Sequence, residues 1–209
     1  MKILFFGDSL TDMWRNRDEA SKEANIYGVG YVFNIASKLY YFNSSQYQVI
    51  NKGCGGDKIT NLYNRYKEDV ISQKPDILTI LIGVNDVWHG LNDPSQTTPI
   101  DVFEKLYVEM IEDIKNKLPN IKIVLMEPFF INGYATINML EGFKDVYRYA
   151  KVVKLVADKT DSTFLPLQKS FNLKAKGNNE AFLYDGVHTA PGGAYLIAKK
   201  WLETFNKIK

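Results

Sequence analysis

A serine stands close behind the first apolar run of the chain. The segment Lys2–Trp14 reads KILFFGDSLTDMW, with Ser9 between Asp8 and Leu10 and two residues after Gly7. A serine displayed at the end of a buried strand can attack an ester carbonyl. It then needs a base to take its proton, a group to orient that base, and donors for the oxyanion that develops. The chain has two histidines, His89 and His188, so a histidine base is one of these. Asp185 lies three residues before His188 and Asp86 three before His89. On spacing alone, either carboxylate can reach its imidazole within one turn and fix the tautomer. Donors are available in the Ser9 N–H, in the glycine-rich stretch NKGCGGDK (Asn51 to Lys58) and in the Asn85 amide.

Each of these features has a plainer use. Ser9 can cap a helix at Leu10, Asn85-Asp86 can end a strand in a turn, and Asp8 is read as bonding turn backbone. The GCGG stretch lacks both a following Gly-Lys-Ser/Thr and the G-x-G-x-x-G spacing, which argues against a phosphate cradle. Cys54 reads as a small buried residue rather than a nucleophile. Two scattered histidines and dispersed carboxylates make no ligand set, so neither a metal nor a cofactor is expected.

The elements that must position these residues are visible as apolar runs. Ile3–Phe6, Val49–Asn51, Ile77–Ile82, Ile121–Met126 and Thr163–Leu165 read as buried strands. The runs ILTILI and IKIVLM are nearly unbroken, as strands covered on both faces are. Between them lie helical patterns over 31–41, 58–71, 99–118 and 143–159, and a last helix starts near Pro191. Thr98-Pro99 reads as an N-cap and first helical residue. Strands alternating with helices predict an α/β fold, a doubly wound parallel sheet of about five strands in a single domain over 1–209. Ligands of such sheets bind at the carboxyl ends of the strands. Gly7–Leu10, the glycine stretch and Gly83–Asp86 all follow strands, and YDGVHTAPGG (Tyr184 to Gly193) precedes the last helix.

These four blocks together, and in this order, resemble the SGNH hydrolases, also called GDSL esterases or lipases. FGDSLTD matches the nucleophile block, NKGCGGD the glycine block, IGVND the Gly-x-Asn-Asp block and DGVH the Asp-x-x-His block. The resemblance runs from Ile3 to the final helix. It implies a three-layer α/β/α flavodoxin-like fold, a catalytic triad of Ser9, Asp185 and His188, and an oxyanion hole from Ser9, Gly56 and Asn85. Gly55 is the competing alignment for the glycine. The resemblance also settles the base in favour of His188 over His89.

Composition bounds the rest. A net charge of +2 over 209 residues gives no reason to expect nucleic acid or a membrane surface as partner. No apolar stretch approaches the roughly 20 residues that span a bilayer. One cysteine permits no internal disulfide, and no secretory pattern precedes the first strand, so a cytoplasmic setting is expected. A homo-oligomer stays open. The expected substrate is a small-molecule ester with a short acyl group, an acetylated carbohydrate being one form. A lysophospholipid or thioester would use the same machinery, as would an acyltransferase, and a non-catalytic binding module is the reading from another class. Trp14, Trp88 and Phe129 are the candidate substrate-binding residues. The Pro128–Leu140 connection is read as a flap or a subunit contact.

Overall fold

The structure is a computed structural model that describes residues 1–18 and 20–209. Five strands form one parallel sheet: β1 (Lys2–Gly7), β2 (Gln48–Gly53), β3 (Ile77–Leu81), β4 (Lys122–Met126) and β5 (Thr163–Leu165). Their order is β2-β1-β3-β4-β5, the flavodoxin-like arrangement. The chain steps from β1 to one side and returns to the other, so the connections diverge between β1 and β3. A crevice opens at that switch point.

Burial explains why the strands read as unbroken apolar runs. Ile3, Leu4, Phe5 and Phe6 are all fully buried. Phe5 packs on Tyr31 and Trp201, whereas Phe6 lies under the guanidinium of Arg65. Neighbouring residues thus face opposite layers. One layer holds α2 (Tyr31–Asn43) and α9 (Pro191–Ile208). The other holds α3 (Ile59–Tyr66), α5 (Ile100–Lys117) and α7 (Val146–Lys159). The Trp201 indole donates to Thr79 Oγ1 at 2.8 Å, satisfying its buried N–H.

Several boundaries differ from the sequence reading. The 58–71 segment is α-helical only to Tyr66 and continues as a π-helical turn over Lys67–Ile71. Thr98 is not an N-cap. Pro99, with φ −54° and ψ 142°, takes the cap position and the helix begins at Ile100. Thr98 instead donates its N–H to Asp86 O at 3.2 Å, and its carbonyl accepts the Tyr149 hydroxyl. The 143–159 pattern is interrupted: α6 (Leu140–Phe143) precedes α7. Three helices carried no clear periodic signal: α1 (Ser9–Asp12), α4 (Val84–Asn92) and α8 (Gln168–Lys174). Among the described residues no helix is long and apolar enough to cross a membrane.

Candidate active site

Strand register brings the polar blocks side by side. Gly7 pairs with Gly53 on β2 and with Leu81 on β3, so the segments that follow leave one edge at the same height. The first turns at once into α1. Asp8 caps it, its carboxylate accepting the Leu10 N–H at 2.9 Å, and Ser9 is the first helical residue. Ser9 therefore does not serve as the cap. Its Oγ lies 2.9 Å from His188 Nε2.

The histidine and its acid sit on one loop, closed at the neck by a bridge between Leu183 and Thr189. Asp185 Oδ2 lies 2.6 Å from His188 Nδ1, while Oδ1 accepts the N–H groups of Val187 at 2.8 Å and His188 at 2.7 Å. Burial pushes the Asp185 pKa up, but these hydrogen bonds outweigh it and hold it below the usual carboxylate value. Burial pulls the His188 pKa down. The hydrogen bond and charge of Asp185, with the charge of Asp8, reverse that and leave it raised from the ordinary imidazole value. Asp8 is fully buried, with one carboxylate oxygen lacking a hydrogen-bond partner among the described residues, and burial pushes its pKa up to about 7.

The other histidine is arranged differently. The Asp86 carboxylate faces the Ile59 N–H at 3.1 and 3.3 Å, and no hydrogen bond joins it to His89 among the described residues. Asn85 and Asp86 are not a simple turn but the first turn of α4. The buried Asn85 amide donates to Asp57 O at 3.0 Å. This ties the third block to the glycine stretch and leaves a second amide proton.

The two glycines differ in their N–H groups. Gly55 lines a pocket of about 360 Å³ together with Ser9, Asp12, Trp14, Tyr184 and His188. Its N–H donates to Asp12 Oδ2 at 3.0 Å. Gly56 has φ +84°, a conformation that favours glycine, and its N–H has no acceptor among the described residues. Cys54 beside them is half-buried, not buried.

Trp14 is 72% exposed at the pocket mouth. Trp88 is half-buried, its ring 5.9 Å from that of His188. Phe129 is a correction: it is fully buried and stacks on Phe171 at 4.2 Å, so it cannot touch a substrate. The Pro128–Leu140 stretch is anchored at its start, while Tyr134 and Ile137 are exposed. Phe129, Phe130 and Ile131 are buried, and the stretch is bonded to the loop behind the imidazole. Ile131 N–H donates to Gly186 O at 2.8 Å and Ala135 N–H to Asp185 O at 2.9 Å. A Cβ on Gly133 would lie 2.3 Å from Gly186 N and 2.4 Å from Asp185 C. Glycine is there because backbone passes against backbone.

Sequence reading missed this buttress, and it missed Arg65. The Arg65 guanidinium donates to Lys52 O, Gly7 O, Asp57 and Asp69, clamping the carboxyl ends of β1 and β2. Its only sequence signal was an Arg–Asp pair four apart on an amphipathic helix, which reads as a solvated face.

A flavodoxin-like sheet with a serine, a histidine and an aspartate linked at its carboxyl edge defines a class of serine hydrolase. The sequence matches the GDSL-like lipase/acylhydrolase family over residues 5–195, and the chain belongs to that family as an ester-hydrolysing serine hydrolase. It is 35% identical over 207 residues to an acetylxylan esterase of Geobacillus stearothermophilus, covering 96% of this chain and 92% of that one. A crystal structure of that esterase superimposes with a TM-score of 0.85 at 33% identity, covering 97% and 92% of the two chains. It has also been solved as catalytic variants at a serine, an aspartate and a histidine. A GDSL-like lipase structure from Parabacteroides merdae superimposes with a TM-score of 0.88 at 32% identity, covering 100% and 96%.

Proposed function

We propose that this single-domain enzyme removes short acyl groups, acetyl foremost, from an acetylated carbohydrate, working in a cytoplasmic setting. The observation that carries the reading is the relay Ser9 Oγ–His188 Nε2 at 2.9 Å and His188 Nδ1–Asp185 Oδ2 at 2.6 Å. The serine, aspartate and histidine varied in the Geobacillus esterase have the same spacing as Ser9, Asp185 and His188. Ser9 Oγ attacks the ester carbonyl and passes its proton to His188, whose imidazolium Asp185 stabilises. The oxyanion takes hydrogen bonds from the Ser9 and Gly56 N–H groups and the Asn85 amide. His188 then protonates the departing alcohol, and water hydrolyses the acyl-enzyme by the same steps in reverse.

The test is a series of p-nitrophenyl esters from acetate to octanoate, beside acetate release from acetylated xylo-oligosaccharides. The expected result is a kcat/KM highest on acetate, with acetate released from the glycan. A preference for octanoate, or for an acyl thioester over its oxygen ester, would overturn the reading.

A pH effect follows from Asp8. His188 must be neutral to accept the serine proton, so kcat/KM falls as pH drops through the imidazole pKa, which is raised from its ordinary value. The Asp8 charge contributes to that upward shift, in part only, because burial raises Asp8 itself to about 7. Asp8→Asn keeps an acceptor for Leu10 and removes the charge, so the acid limb of the profile is expected to move to lower pH. An unmoved or raised limb contradicts this.

A further inference from the structure

The pocket holding Ser9 and His188 does not end at Trp14. Met13, Trp14 and Tyr184 also line a second, larger cleft of about 870 Å³. Val29, Phe33 and Tyr195 extend its wall, and Ala190, Pro191 and Ala194 lie along it. Trp14, Val29 and Tyr195 are 72%, 61% and 66% exposed. Single exposed apolar side chains need no explanation. Several along one cleft that opens beside a nucleophile do.

The backbone under Trp14 is built to present it. Met13 and Trp14 are both left-handed, at φ 38° and 58°, a conformation bulky residues seldom adopt and that persists only when the surroundings impose it. Here they do. Met13 O accepts the Val29 N–H at 3.0 Å and Asp12 O the Arg15 N–H at 2.9 Å. Arg15 Nε reaches Gly53 O at 2.9 Å, and Arg17 Nη2 reaches Asp12 at 2.9 Å. The indole is held out on an anchored turn beside the serine.

We infer that this cleft binds the alcohol side of the substrate, a short oligosaccharide of pyranose sugars, with Trp14 and Tyr195 as stacking platforms. The inference rests on the carbohydrate reading given above. The departing oxygen must take its proton from His188 Nε2. Both His188 and Tyr184 line the pocket that runs into the cleft, so the sugar chain leaves the ester on that side. The two faces of a pyranose ring are largely C–H and pack on indole and phenol rings, while its hydroxyls need amide and hydroxyl partners. The cleft offers both kinds of group, with Asn25, Asn34 and Thr189 among its polar residues. This is the usual make-up of a small-molecule site: apolar and aromatic walls with a few polar groups.

The test compares Trp14→Ala and Tyr195→Ala with wild type on acetylated xylotetraose and on p-nitrophenyl acetate, which has no sugar. The readout is the ratio of the two kcat/KM values. An aromatic packing contact implies a fall in that ratio of about fivefold to tenfold per ring, carried by KM on the glycan. Trp14→Tyr and Tyr195→Phe, which keep a ring, should recover most of it. An unchanged ratio in both variants overturns the inference. If sedimentation then shows that they dissociate an assembly, the cleft is a contact between copies of this chain. Unacetylated xylohexaose, titrated into Ser9→Ala and followed by tryptophan fluorescence, separates this inference from the substrate reading. A response that Trp14→Ala abolishes supports the cleft even if wild type releases no acetate from any glycan, and no response overturns it.

Discussion

Ser9→Ala and His188→Ala are each expected to lose on the order of a millionfold in kcat, and the double variant no more than either single one. The reason is that in the proposed mechanism Ser9 Oγ and His188 Nε2, 2.9 Å apart, perform one proton transfer between them. Without the hydroxyl, the imidazole has nothing to activate. Without the imidazole, the hydroxyl stays protonated and is a poor nucleophile. Two groups contributing independently would give losses that multiply, so the double variant is the informative one. His89→Ala is the control: half-buried, with no hydrogen bond to Asp86 among the described residues, it should leave kcat within a few-fold. A rate retained in Ser9→Ala, or a loss in His89→Ala matching that of His188→Ala, would overturn the assignment of nucleophile and base.

Asp185→Asn is expected to lower kcat by about 10⁴ with little change in KM. The substitution is nearly isosteric, and its oxygen can still accept the N–H groups of Val187 and His188. The atom facing Nδ1 becomes an amide nitrogen, however, which donates and cannot accept. The imidazole must then carry its proton on Nε2, the nitrogen 2.9 Å from Ser9 Oγ. The ring donates to the serine where it should accept. The stability of the variant should stay close to wild type, because the packing is unchanged. A fall of less than tenfold would show that Asp185 does not set the tautomer.

The strands were legible because the sheet is covered on both faces and their apolar runs show no polar alternation. The order and placement of the four polar blocks were legible for a related reason: each sits where a strand ends or a helix begins. What could not be read are the residues that hold those blocks in place. Asp12 reaches Gly55, and Arg65 reaches Gly7 and Lys52, across distances along the chain that no local period encodes. Phe129 was misread because an apolar residue just past a strand can turn into the pocket or beneath it. Its partner Phe171 sits on a helix with no strong periodic signal. The Gly55–Gly56 ambiguity has the same origin. Composition cannot tell which of two adjacent N–H groups is taken by a carboxylate 43 positions away.

The loop closed by Leu183 and Thr189 bears on how this chemistry is assembled. The proposed base and its acid share one short segment, bonded to each other and to their own backbone, and buttressed from behind by Gly133 and its neighbours. A triad drawn from three separate elements has to register three bodies against one another. Here there are two, the capped turn bearing Ser9 and the loop bearing Asp185 and His188, so a single interface sets the geometry. The entropy of orienting the imidazole on its carboxylate is spent when the loop folds rather than at each turnover.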